Sequence, residues 1–350
     1  MSTAKRRKVK KQKKKGIKIR FLKVLPFIVL AFSLVFLLYR TIVLVRFKVD
    51  CTSIPTNMLS NDKDMIANLF IFENDGRISN IEILIHSKDK NNILKVSIPT
   101  GIYVSQVGVD EIPLSSLESV GEFLEYGSGK EYTIRYLSDL LGIKFDNYIW
   151  LVDSSRNVED FQKDLSVWSI LFNFKYNQEL KDHIYSNLPI INLITQINFL
   201  NTVTGEYEYE VMDISECCIE EIVLSDDDIQ LHFDTNAFDS EFSKYVGDLV
   251  SRSVERERVN VEVYNASNVT GLAGIYARKI RHTGCRILRY DNSPNLFDDT
   301  VIYVPESEEY KNSLRLVRDV MGEHIEVKYE KPLFITTGDI VVVLGKDLVQ

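Results

Sequence analysis

The chain has 350 residues with 42 Lys and Arg against 50 Asp and Glu, and its first 23 residues hold twelve of the basic side chains and no acid. After Lys23 the balance is 30 basic (42 less 12) against 50 acidic, so the remaining body carries about −20, which excludes nucleic acid as its partner. At 45% hydrophobic and 11% aromatic the body is globular rather than a disordered stalk, and its roughly 300 residues suffice for two domains with cores of their own.

The basic tail, residues 1–23, runs from Lys5 and Arg6 to Arg20 and Lys23, and from Val24 to Tyr39 nothing is charged. A helix over residues 24–45 would span about 33 Å, close to the roughly 30 Å of a bilayer core, with Arg40 near the far end where its stem can reach the headgroups. The positive-inside rule then keeps the N-terminus in the cytoplasm and puts everything after about Arg46 outside the cell membrane. The apolar run is long for a cleaved signal peptide, and no small-x-small cleavage site follows it. The tail itself suits anionic lipid headgroups; lysine runs without aromatics give nucleic acid only sequence-blind attraction.

Four cysteines, Cys51, Cys217, Cys218 and Cys285, make no disulfide framework: adjacent Cys217 and Cys218 cannot easily pair, and Cys285 sits in an apolar strand pattern that suits a buried thiol. Met65–Glu73, Ile81–His86 and Ile93–Ile98 read as strands. The apolar spacing Ile134, Leu137, Leu141 predicts a helix over 132–141 that Gly142 stops, and Asn147–Val152 reads as another strand. The aromatic run Trp168–Tyr176 is read as core, with the wall of an apolar pocket as the alternative. Gly127-Ser-Gly-Lys130 lacks the earlier glycine and the hydroxyl residue of a phosphate loop. Ser225–Asp234 packs four acids and a histidine together but lacks the spacing of a cation loop, and is read as a solvated turn into a strand over 229–233. Phe238, Phe242, Tyr245, Val246, Leu249 and Val250 predict one amphipathic helix over 236–257, ending at a boundary near Arg258.

Beyond Arg258 the order is clearer. Strands over 259–263, 285–290, 300–304, 325–329 and 340–344 and helices over 272–282 and 313–321 give a compact βαββαββ module. Asn265-Ala-Ser267 and Asn268-Val-Thr270 are glycosylation sequons, and Asn265 also suits the turn from strand to helix. No Ser-His-Asp or Cys-His nucleophile set can be assembled from local spacing.

This last module, residues 258–348, resembles the C-terminal domain of LytR-type cell-envelope proteins. The likeness rests on Val261-Glu-Val-Tyr-Asn265, Gly271-Leu-Ala273, Thr300-Val-Ile-Tyr303 and Asp339–Asp347, so that Asn265, Gly271, Ala273, Thr300, Gly345 and Asp347 are its motif residues. Residues 50–250 resemble a reduced LytR-CpsA-Psr domain: Arg77-Ile-Ser-Asn80 with the following strand is similar to that family's first acidic motif, Leu94–Pro99 to its Ser-Ile-Pro motif, Leu140–Tyr148 with Leu151–Asp153 to its central helix and strand, and the segment from Tyr185-Ser-Asn-Leu188 into Ile197 to a later helix.

The resemblance implies an α/β protein with an N-terminal transmembrane helix, a mixed sheet with helices, and the small C-terminal module. Family members are believed to move glycopolymers from a polyprenyl pyrophosphate carrier to the cell wall, using Mg²⁺, acidic residues and clustered arginines. Here the Ser-Asp-Thr pattern is Ser79-Asn80-Ile81, the Ser-Ile-Pro-Arg-Asp pattern is Ser97-Ile98-Pro99-Thr100-Gly101, and residues 51–251 hold only Arg77, Arg135 and Arg156. A pyrophosphate needs bidentate guanidinium partners or a carboxylate-held metal. The expectation is therefore a non-catalytic binding or scaffolding protein without a cofactor or metal, its partners membrane lipids and cell-wall glycopolymer or polyprenyl-linked lipid. One alternative is a divergent Mg²⁺-dependent transferase drawing on Arg77 with Asp75 or Asp153. Another is an exported interaction module that owes only its last ninety residues to the family.

Overall fold

The computed structural model describes residues 13–45, 65–87, 89–106, 109–124, 128–152, 183–189, 192–193, 195–196, 208–225, 228–304, 308–322 and 324–349. Asp153 and the aromatic run 168–176 lie outside them. The chain is mixed α/β, and its described residues form three separate sheets.

Helix α1 (Lys13–Val45) starts earlier than its apolar run, and every side chain from Val24 to Tyr39 is exposed. Among the described residues no helix is long and apolar enough to cross a membrane. Arg40, expected to reach toward headgroups, is buried instead.

The first sheet has the order β7-β6-β1-β2-β3-β8. Its strands are β1 (Met65–Asn74), β2 (Arg77–Ser87), β3 (Asn92–Ile98), β6 (Asn147–Leu151), β7 (Ile184–Ser186) and β8 (Glu208–Asp213). β1 and β2 form a hairpin through Asp75 and Gly76, both at positive φ, as a two-residue type I′ turn requires. One face packs Leu69, Ile71, Ile81, Ile83, Ile85 and Trp150 against helices α2 (Leu117–Phe123) and α3 (Gly129–Leu141). α3 begins three residues earlier than its spacing suggests, because Ser128 caps it by accepting from the Glu131 N–H. Gly142 ends it in the left-handed conformation, φ 61°. The segment from Tyr185 into Ile197, matched above to a helix, opens instead in a strand that pairs Ile184 and Ser186 with Leu151 and Ile149; residues 192–193 and 195–196 further along it are helical.

The second sheet, order β5-β4-β10-β9, contains β4 (Tyr103–Gln106), β5 (Val109–Pro113), β9 (Ile219–Ser225) and β10 (Asp228–Phe233). Helix α4 (Ile214–Cys217) links β8 to β9, and at its end Cys217 and Cys218 are disulfide-bonded to each other. That corrects the expectation that neighbours do not pair. The single turn of α4 stops between them, Cys218 leaves the helical region at φ −135°, and the two sulfurs meet across that break.

The helix expected over 236–257 is two: α5 (Thr235–Leu249) and α6 (Arg252–Glu257). Between them Val250 is extended, ψ 140°, and buried, and an added side chain at Gly284 would meet it at 2.5 Å. The hydrophobic spacing carries on through the break because Val250 serves the core of the third sheet while Phe238 and Phe242 serve the first.

The third sheet, order β12-β11-β15-β13-β14, comprises β11 (Asn260–Asn265), β12 (Arg286–Asn292), β13 (Val301–Tyr303), β14 (Glu326–Lys328) and β15 (Ile340–Leu344). With α7 (Leu272–His282) and α8 (Lys311–Met321) it realises the βαββαββ order. Val261, Val263, Ile302, Val342 and Leu344 pack under these helices; Tyr264, Tyr303 and Val343 fill the other face beneath Phe297 and Phe334. α7 also seats on the first sheet's helices: Arg278 reaches Asp239 on α5, and its guanidinium donates to the Asp139 and Leu140 carbonyls that end α3.

Candidate functional site

The residues expected to bear charge chemistry are Asp75, Arg77 and Asp153. Asp75 and Arg77 are exposed at the tip of the β1–β2 hairpin. Alternation along β2 then points Asn80 and Glu82 to the face away from α2 and α3, and Ile81 into the core. Ser79 is spent on the strand itself, its hydroxyl donating to the Phe72 carbonyl at 2.9 Å.

On the outward face Glu82 opposes Ser97, and Leu84 opposes Lys95. Lys95 Nζ lies 3.2 Å from Glu82 Oε2, and Asn80 Nδ2 donates to Glu82 Oε1 at 3.0 Å. Both charges are largely buried, so each is neutralised by the other. At the following turn Thr100 gives its carbonyl to Ser115 and Gly101 is exposed with open space around its Cα. The donor set does not fit Mg²⁺: the positions matching the acids of the motifs are an amide and a glycine, and the one carboxylate beside them already holds a lysine. Among the described residues no three His, Cys, Asp or Glu side chains are placed to hold a metal ion. Among the described residues of this face, the cation a pyrophosphate would meet is Lys95, already paired with Glu82.

The same face carries a row of buried amides that sequence reasoning missed. Asn68 on β1 donates to the Leu84 carbonyl at 3.2 Å and accepts from Asn147 Nδ2 at 2.9 Å and Gln196 Nε2 at 3.1 Å, with His86 Nδ1 3.5 Å away. Asn187 extends the row, accepting from the Tyr148 N–H and donating to the Asp146 carbonyl. The only signal was an asparagine in the middle of an apolar strand. An amide network of this kind fixes strand register and orients polar groups.

On the helix side, Lys130 at the start of α3 pairs with Glu118 and lies 3.2 Å from Glu73 Oε2, which also accepts from Trp150 Nε1 at 2.8 Å. Burial is the larger influence on Glu118 and raises its pKa, against the Lys130 charge that lowers it. Lys130, once weighed as part of a phosphate loop, is thus committed to two carboxylates and the face of Trp150.

In the third sheet, the motif residues gather at the carboxyl ends of β11 and β15. Asn265 Oδ1 accepts from the Ser267 N–H and hydroxyl, and its amide donates to the Val269 carbonyl. Gly271 starts α7 at φ 84°, and Ala273 and Ala277 lie against the sheet. Thr300 Oγ1 donates to Asp347 Oδ1 at 2.6 Å and accepts from the Gly345 N–H at 2.9 Å. A side chain at Gly345 would meet the Asp299 backbone at 2.4 Å, which is why a glycine stands there. These residues lock turns and strand ends to one another.

Residues 258–348 match the family model described as LytR cell envelope-related transcriptional attenuator. No curated protein is similar to the chain in sequence. Among solved structures, the Lin1025 protein of Listeria innocua matches at 14% identity, covering 53% of this chain and 99% of its own, with a TM-score of 0.37. B. subtilis TagT matches at 12%, covering 57% and 97%, TM-score 0.37. The LytR-CPS2A-psr family protein YwtF (TagT) with bound octaprenyl pyrophosphate lipid matches at 12%, covering 58% and 99%, TM-score 0.38. The match over 258–348 makes that module similar to the LytR C-terminal domain.

Proposed function

We propose that this is a membrane-anchored cell-envelope protein in which a LytR-CpsA-Psr-like domain over residues 50–250, without transfer chemistry, binds or scaffolds at the cell wall beside the LytR C-terminal domain. The observation that carries the reading is the Glu82–Lys95 pair with Asn80: where the resembled family uses acids and arginines, this sheet holds one neutralised ion pair, an amide, a threonine and a glycine. The exposed apolar girdle of α1 behind a tail of twelve basic residues supports a single cytoplasm-to-outside anchor. Membrane lipids then meet the tail, and a cell-wall glycopolymer or polyprenyl-linked lipid is the ligand class for the body. Incubating the purified chain with a polyprenyl pyrophosphate glycan donor, an acceptor and Mg²⁺ tests this. No transfer, with retained binding of the donor, is expected; metal-dependent transfer overturns the reading in favour of a divergent transferase.

A further inference from the structure

At the joint between the first two sheets the chain closes a bond that stability does not explain. Cys217 and Cys218 are joined to each other, the one disulfide among the described residues, while Cys285 is a free buried thiol. A disulfide stabilises mainly by restricting the loop it closes in the unfolded chain, and two neighbours close the smallest loop a chain has. The two residues are unequally placed. Cys218 is fully buried in the core of the first sheet, its N–H donating to the Ile214 carbonyl and its carbonyl accepting from the Asp234 N–H. Cys217, at the end of α4, is half-buried, so it is the one of the two that an incoming thiol can approach. Both products of reduction are already provided for. The Asp213 carbonyl lies 3.5 Å from Cys217 Sγ and can accept from its thiol, and an apolar core suits a neutral Cys218 thiol.

We propose that Cys217–Cys218 is a thiol–disulfide exchange site, with Cys217 as the attacked sulfur and a protein dithiol of neutral or basic face as its partner. The partner's thiolate bonds to Cys217 Sγ as the bond to Cys218 breaks; Cys218 leaves with the electron pair and takes up the proton the partner gave up. The partner's second thiolate then bonds to its first sulfur and releases Cys217, which is protonated in turn. This chain gains two electrons and two protons, and the partner becomes a disulfide. The charge of the partner follows from the surroundings. Asp213, Glu216, Glu220 and Glu221 flank the pair, and no Lys or Arg occurs between Lys181 and Lys244. A reactant carrying extra negative charge is repelled here, and salt weakens that repulsion.

Treating the folded full chain with dithiothreitol in a neutral detergent, then quenching in acid and unfolding it in an alkylating reagent, reads the site by peptide mass. Cys217 and Cys218 are expected to carry label after treatment and none without it, with the circular dichroism spectrum before the quench unchanged. In the folded C218S variant, cystamine, a cationic disulfide, is expected to capture Cys217, whereas Cys218 in C217S stays uncaptured. Capture by cystamine should exceed that by anionic dithiodiglycolate, each taken relative to its rate with mercaptoethanol, and the gap should narrow in salt. Reduction only of an unfolded chain, capture of C217S as fast as of C218S, or faster relative capture by the anionic disulfide overturns the proposal.

Discussion

Arg278 on α7 holds Asp239 on α5 through two nitrogens, with Nε and Nη2 2.7–3.0 Å from its carboxylate oxygens, and spends its remaining reach on the last carbonyls of α3. Both side chains are about 15% exposed, so the pair is largely desolvated and each partner depends on the other. R278M is expected to lose about 3 kcal/mol in urea unfolding, D239N about the same, and the double variant clearly less than the sum. Additive losses would show that the two do not act together.

His282 lies in the same contact, its Nδ1–H donating to the Gly142 carbonyl at 2.9 Å and its ring 4.7 Å from that of Phe242. Burial first, then the Arg278 and Arg281 charges, push its pKa down to about 4, although Asp239 opposes them; Asp239 is already taken up by Arg278. A histidine depressed on folding stabilises above its unfolded value, about 6.5, and that stability is lost as the pH falls toward 4. The expected loss over this window is up to about 3 kcal/mol. H282N should flatten the profile between those limits, and an equally steep profile in that variant would assign the effect elsewhere.

Thr300 is both donor to Asp347 and acceptor for the Gly345 N–H. T300V fills the same volume but strands both partners, with an expected cost of about 1–3 kcal/mol; T300S should recover most of it. Thermal unfolding of the three proteins separates the hydroxyl from the methyl, because loss in T300S as large as in T300V would point to packing.

Cys285 is buried, and burial pushes its thiol up to about 11. The native chain should leave it unlabelled by an alkylating reagent at neutral pH and label it only on unfolding. Cys217 and Cys218 should label only after reduction, as their bond requires. Peptide mass mapping reads all three, and labelling of Cys217 or Cys218 without reductant would refute their pairing.

Legibility varied with how local the determining signal was. The strands of the first sheet's centre, Ile81–His86 and Ile93–Ile98, and the whole βαββαββ order were readable because alternating or continuous apolar runs are bounded by turn residues such as Asp75-Gly76 and Gly284. Of the second sheet only β10 was legible, as the strand over 229–233; β4 and β5 are short, and β9 has exposed residues on both faces, so no buried face imposes a period. The break at Val250 hides inside an intact helical spacing because its side chain serves a different core from its neighbours. At the candidate site the missing acids and arginines were readable from the motifs, but the compensating Glu82–Lys95 pair and the Asn68 row were not. Both depend on strand register, which joins residues far apart in sequence.

The two carbonyls at the end of α3 that Arg278 satisfies bear on the order in which the chain is completed. Synthesis runs from the N-terminus, so α3 and the sheet beneath it are made long before the residue that closes them. Until α7 emerges, the end of that helix and the ring-lined slot for His282 face water. The earlier part of the chain therefore waits, unfinished, for the module that follows it.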